Sequence, residues 1–270
     1  MNILKEFFGF GGYTREPEGY MSPEHLLFVS SLMVLMIGLA VFFGLRNRGL
    51  DEKKKNRVLV AAAIIIDSAE IFKLIIVCLR SGELQSLLYD LPLFLCSIQL
   101  ITIPLAAFSR GRVREAALDF VLIFGILGAV LGTYGAGQNY ACYPVLSFDN
   151  VVSGFTHSVS GFASLYIAIS RLGSMKKKNI PITYGILLFF CAAAALANWL
   201  LDYNYMFLVR GDGTPYDIFY NLVGGHPFLY PLIVIALFLI YIAVFYAIYH
   251  LATKKKEKQT VSEKELQLTP

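Results

Sequence analysis

The chain has 270 residues, of which 57% are hydrophobic and only 16% charged, with a mean hydropathy of +0.62. A water-soluble domain of this length carries about a quarter charged residues, so lipid is the expected solvent. The net charge of +4 gives no reason to expect nucleic acid as a partner, because the basic residues stand in short clusters between apolar runs.

The segment ahead of the first apolar run contains Glu6, Arg15, Glu16 and Glu18 and lacks a basic start followed by a short apolar core, so no cleavable signal peptide is expected. Seven apolar stretches then follow that are long enough to cross about 30 Å of hydrocarbon as helix. They lie at 26–45, 58–79, 90–108, 116–133, 151–172, 181–201 and 227–251, the fourth being the shortest. The expected fold is all-α, a single seven-helix transmembrane bundle over 1–253, with a polar, disordered tail at 254–270.

The connections between these stretches fix an orientation. Segments 46–57, 109–115, 171–180 and the tail hold 18 of the Lys and Arg residues, whereas Lys5, Arg15, Arg80 and Arg210 are the four on the other side. Basic loops stay in the cytoplasm, so the N-terminus is expected outside and the C-terminus inside. The outer connections 134–150 and 202–226 are rich in aromatics and amides and are expected to form a structured cap. GDG at 211–213 reads as a turn. No internal repeat supports an inverted-repeat transporter.

Polar groups at membrane depth cost several kcal/mol unless they face the bundle interior, so each is a functional candidate. The second stretch carries Asp67, Glu70 and Lys73; the third Cys96, Ser97 and Gln99; the fourth Asp119; the fifth His157; the sixth Asn198. At about 1.5 Å per residue, Cys96 and His157 both lie about 9 Å below the outer boundary. Glu70 and Asn198 share that outer half, and Asp119 lies near the inner surface. Pro92, Cys96, Gln99 and Ile103 fall on one stripe of a continuous third helix, and Ser153, His157, Ser160 and Ser164 on one stripe of the fifth. Gly154, Gly161 and Ala163 leave room for a close helix neighbour.

A cysteine in an apolar helix is ordinarily a small packing residue. The sharper reading is a thiol nucleophile activated by His157. Cys78 and Cys191 have no comparable partner, and the four cysteines show neither disulfide-framework nor metal-ligand spacing. No cofactor or metal is expected. Glu70 and Lys73, three residues apart, read first as an internal ion pair and second as part of a proton relay with Asp67. His25, at the outer end of the first stretch, reads as an interfacial residue.

Three segments together resemble the YwaF and transmembrane protein 164 family: LPLFLCSIQL at 91–100, the histidine of FTHSVSG at 155–161, and Asn198 followed by NYMFL at 204–208. SPEHL at 22–26 and the intramembrane Glu70 fit in order and spacing. One position departs, since Phe94 stands where that family usually has histidine. The resemblance implies an integral protein of a bacterial cell membrane and a phospholipid acyltransferase with an acyl-cysteine intermediate. A membrane phospholipid would be the substrate and a second lipid the acyl donor. In that scheme Cys96 and His157 are catalytic, while Glu70, Asn198, Asn204, Gln99 and His25 orient the base or support the oxyanion. An ion- or proton-coupled transporter using Asp67, Glu70 and Lys73 is the alternative expectation. A ligand receptor is a third, and an opsin is excluded because 227–251 contains no lysine.

Overall fold

Among the described residues all regular structure is helical. In chain order the helices are α1 (Ile3–Phe8), α2 (Pro23–Asn47), α3 (Glu52–Ser81), α4 (Gln99–Phe108), α5 (Gly111–Leu131), α6 (Gly137–Cys142), α7 (Phe148–Ser170), α8 (Ile180–Leu201), α9 (Asp217–Leu222) and α10 (Leu229–Leu268). The computed structural model describes residues 3–268, with side chains as far as 253. Capping residues set the helix starts. Ser22 accepts from the His25 amide at 3.2 Å, Asp51 from Lys54 at 2.8 Å and Ser147 from Asn150 at 3.3 Å, each satisfying an amide that has no partner within its helix. Gly82 ends α3 with φ of 70°, a left-handed stop that glycine adopts without a Cβ clash.

Three of these segments are long and apolar enough to cross a bilayer on composition alone: α2, residues 177–201 leading through α8, and the Leu229–Thr253 part of α10. Their outward residues, such as Val34, Phe189, Trp199 and Ile248, are exposed large hydrophobics of the kind lipid covers. Helices α3, α5 and α7 are also long, but charged or polar residues dilute their hydropathy. These same helices build the interior. Every residue of α5 from Ala116 to Gly125 is buried, so it stands at the centre with α4, α7 and α8 around it. α7 packs on α5 along one side and on α2 and α3 along others.

Small residues allow that packing. A Cβ at Gly125 would stand 2.8 Å from the Ser160 carbonyl oxygen and from Ser164 Cβ, and one at Gly154 would stand 2.9 Å from Leu32. At Gly161 it would run into Met36 of α2 and Ala129 of α5. The glycines and serines of α7 thus lie between two helices, as their spacing predicts.

The third stretch differs from expectation. A 3-10 turn at Leu84–Tyr89 and an irregular run through 91–98 precede α4, so Cys96 lies in a turn and not on a helical stripe shared with Pro92, Gln99 and Ile103. Pro92 contributes no amide proton, and Phe94 is drawn into an aromatic cluster with Tyr203, Tyr205 and Phe207. Docking of that ring holds the chain off the helical path until Ile98 donates to the Phe94 carbonyl at 3.0 Å. Irregular backbone at such depth is tolerated where protein buries it. The second difference is the tail: α10 continues to Leu268, whereas a disordered segment was expected from 254. Lysine, glutamate and glutamine extend an already nucleated helix readily.

Polar ties lock the two ends. At one end Asp119 is fully buried and accepts from the Met175 amide at 3.0 Å, Asn179 Nδ2 at 2.9 Å and the Tyr246 hydroxyl at 2.9 Å. It joins α5, the segment after α7, and α10. At the other end Arg80 holds Asp149 through two nitrogen–oxygen contacts of 2.6 and 2.7 Å, and the Tyr13 hydroxyl donates to the same carboxylate at 2.5 Å. Burial and its bond to Asp149 push the Tyr13 phenol up to about 12, so it remains a donor. Burial alone would raise Asp149, but Arg80 and Tyr13 outweigh it and hold the carboxyl below the usual range.

A depressed carboxyl stabilises the fold above about pH 4, its unfolded value, and that stabilisation is lost as pH falls through the folded value. Asp149→Asn is therefore expected to lose about 2 kcal/mol at neutral pH, the scale of charged hydrogen bonds. It is also expected to flatten the acid limb of thermal stability measured in detergent. An acid limb unchanged from wild type would show that this tie does not secure the cap.

Candidate functional site

Cys96 and His157 meet against the end of α5. A Cβ built at Gly128 would touch Cys96 Cβ at 3.4 Å, and one built at Gly132, a turn further on, would overlap Cδ2 and Nε2 of the His157 ring. Two positions four residues apart lie on one helix face, so α5 presents a floor on which both side chains rest. The thiol and the imidazole are close enough there for each to act on the other's charge, and the thiol also lies 4.0 Å from Ser97 Oγ. Both residues are half-buried.

The orientation of the imidazole follows from its other nitrogen. Nδ1 lies 2.6 Å from the Ser153 carbonyl oxygen, and a carbonyl only accepts. Nδ1 therefore carries the proton and donates, which leaves Nε2 as the acceptor facing the thiol. Ser153 Oγ, 3.4 Å from the same nitrogen, supports this arrangement. A base held by a backbone acceptor on one side and facing a nucleophile on the other is the arrangement that nucleophilic catalysis requires. Glu70 acts on His157 only through space. Its carboxylate is bonded to Lys73 at 2.6 Å, and Lys73 reaches on to Asp90 at 3.0 Å.

The segment bearing the thiol is clamped from the 203–207 turn. The Tyr205 hydroxyl donates to the Leu88 carbonyl at 2.5 Å and accepts from the Leu91 amide at 3.3 Å. Met206 and Phe207 take left-handed φ values of 57° and 55°, a strained pair that turns the aromatic face toward Phe94. Position 94 therefore faces the cap, and His157 is the imidazole beside the thiol.

The other expected site residues are placed less directly. Asn198 is spent on Tyr205, accepting from its amide at 2.6 Å and donating to its carbonyl at 3.0 Å. Asn204 donates to the Arg210 carbonyl and to Asp212, both at 2.8 Å, and accepts from Val209 at 2.9 Å. Both amides hold the turn, so neither is free to serve an oxyanion. His25 is buried with Nδ1 accepting from Met21 at 3.1 Å and Nε2 donating to the Thr133 carbonyl at 3.3 Å, which makes it a structural tie between the segment before α2 and the end of α5. Gln99 is different. It is fully buried, its Oε1 accepts from Thr102 at 3.1 Å, and its Nε2 has no partner among the described residues. Nearby in sequence, the amides of Leu95, Cys96 and Ser97 make no backbone hydrogen bond among the described residues.

The sequence reading missed three participants. Asp90 completes the charge cluster on α3, and the Ser153 carbonyl sets the tautomer, a backbone role that no side-chain pattern reveals. The glycine floor did leave a signal, since GAVLG at 128–132 has the spacing of a close helix approach.

Gly132 has ordinary right-handed φ and ψ of −77° and −6°, so alanine there strains no backbone and acts through the imidazole alone. Gly132→Ala is expected to slow alkylation of Cys96 between about 10- and 100-fold, the cost of displacing a base by about 1 Å. Gly128→Ala is expected to change it little. Iodoacetamide labelling with site-resolved mass spectrometry, using exposed Cys142 as the internal reference, measures both.

No curated protein and no solved structure matches the chain. A family model does, over residues 20–249, a span that contains the cysteine turn, the histidine of α7 and the clamp at 203–207. The chain belongs to the TMEM164 family.

Proposed function

We propose that this protein is a membrane-embedded acyltransferase, or lipid hydrolase, acting on phospholipid esters through Cys96. The reading takes α2, α3, the broken segment 91–108, α5, α7, α8 and α10 as seven spans, with the N-terminus outside and the C-terminus in the cytoplasm of a bacterial cell membrane. Support for that orientation comes from the basic residues, 18 on one side and four on the other. The chemistry then lies in the outer half of the bilayer.

One observation carries the reading. The Ser153 carbonyl holds Nδ1 of His157, leaving Nε2 free to take the proton of the neighbouring thiol. As that proton passes to Nε2, the sulfur attacks the ester carbonyl and the C–O bond breaks. The imidazolium returns the proton to the departing alkoxide, releasing a lysophospholipid alcohol and leaving an acyl thioester on Cys96. A hydroxyl acceptor, either a second lipid or water, then gives its proton to Nε2 and attacks the thioester, and the sulfur leaves and is reprotonated. Donors for the oxyanion are the amides near Cys96 and the unpartnered Nε2 of Gln99, in place of Asn198 and Asn204.

The transport reading has weaker support, because Lys73 is enclosed between Glu70 and Asp90 in a compact ion cluster. Such a cluster neutralises costly charges without a relay.

Purified protein in nanodiscs with acyl-labelled phospholipid distinguishes the two. Cys96→Ala and His157→Ala are each expected to reduce acyl release or transfer by roughly three orders of magnitude or more, and the double variant no further, because the pair acts as a unit. Full activity in Cys96→Ala would sink the thiol mechanism. A pH-dependent ion flux that survives that substitution would favour transport.

A further inference from the structure

At the end of α5 remote from Gly132, a cavity of about 240 Å³ is lined by Glu52, Lys55, Glu115, Arg171, Ser174 and Lys176, with Leu118 and Leu172 as its apolar wall. The acyl-transfer chemistry makes no use of it. Its acidic residues are in ion pairs: Glu52 with Arg114, and Glu115 with Lys176 at 2.7 Å and Lys178 at 3.7 Å, though Glu115 Oε2 accepts no hydrogen bond among the described residues. Lys55 and Arg171 make no ion pair among the described residues, and Ser174 Oγ is a buried hydroxyl with no partner there.

Both cations are held in place by their backbones. The Tyr166 hydroxyl donates to the Lys55 carbonyl at 2.9 Å and accepts from Asn47 Nδ2 at 3.1 Å, which ties Lys55 to α7 and α2. Arg171 caps α7 with φ of 58°, and its amide bonds to Ile167 and Ala168 carbonyls. That left-handed position is one that glycine adopts more readily than arginine.

We infer that this cavity is a binding site for a phosphate group, with Lys55 and Arg171 as the charged donors and Ser174 as the hydroxyl donor. Two unpaired cations and a free hydroxyl match the several acceptor oxygens of a phosphate. The cavity is smaller than the roughly 300 Å³ at which drug-sized pockets begin, so it suits a headgroup or a free ion and not a whole lipid. The phosphate of an anionic lipid and inorganic phosphate share this chemistry.

Two probes separate the sources: retention of phosphatidic acid from phosphatidylcholine nanodiscs, read by native mass spectrometry, and binding of inorganic phosphate in detergent, read by calorimetry. The full chain is expected to bind at least one. Lys55→Gln with Arg171→Gln is expected to weaken that binding by about tenfold or more, the scale of losing charge-assisted hydrogen bonds. Lys53→Gln with Arg57→Gln removes the same charge from exposed positions outside the cavity and is expected to leave it intact. Arg171→Gly guards against misfolding, because glycine relieves the backbone strain and is expected to hold or raise the melting temperature while binding falls. Lipid retention alone identifies a headgroup, and phosphate binding alone a soluble ligand. Equal loss in the Lys53/Arg57 variant, undiminished binding in the Lys55/Arg171 variant, or no binding of either probe by the wild type would overturn the proposal.

Discussion

The close approach of α5 and α7 is the contact on which the rest depends. Where two helices carry glycine or serine at facing positions, their backbones come within reach of each other's side chains. Gly125 accommodates Ser160 and Ser164, Gly161 accommodates Ala129, and Gly132 accommodates the His157 ring. With α7 held there, the Ser164 hydroxyl reaches the Leu122 carbonyl at 2.7 Å, and the imidazole lies flat on the end of α5. Larger residues at those glycines would push the histidine away from the thiol.

A second constraint is that polar groups in an apolar solvent must find partners inside the protein. It explains why apparently catalytic residues have structural duties. Asp119 is met by an amide, a carboxamide and a phenol; Lys73 by two carboxylates; Asn198 and Asn204 by backbone of the 203–212 turn. What remains unspent is informative for the same reason. Gln99 Nε2 finds no partner among the described residues, and the Ser153 carbonyl leaves Nε2 of His157 as an acceptor beside Cys96. Irregular backbone at 91–98 leaves the amides of Leu95, Cys96 and Ser97 without the backbone bonds that a continuous helix would give them.

Helix identity was largely legible because apolar runs, caps and breakers are local. Ser22, Ser147 and Gly82 mark boundaries within about three residues of those expected, and Asp51 starts α3 six residues early. Cys96 and His157 were expected near one another, and both lie against the end of α5; the close-packing role of Gly154 and Gly161 was legible as spacing. The break before α4 was only partly legible, because Pro92 is the one local breaker in LPLFLCS; the irregular path beyond it goes with the docking of Phe94 onto a turn more than a hundred residues away. The partners of Asn198 and Asn204 were not legible for a related reason. An amide in a span reads as a spare donor until the backbone of the turn it serves has a position.

The sequence by itself determined that this chain lives in lipid, that its helices alternate with basic and aromatic connections, and which few polar residues stand within apolar stretches. These follow from composition and from periodicities that each segment expresses alone. Only the tertiary structure decided which polar groups are satisfied and which are free. Hydrogen bonding is a pairwise accounting across helices: a donor is available only when no neighbour has claimed it. The Ser153 carbonyl that sets the tautomer of His157, the glycine floor beneath the ring and the two unpaired cations beside Ser174 exist only once the helices have packed.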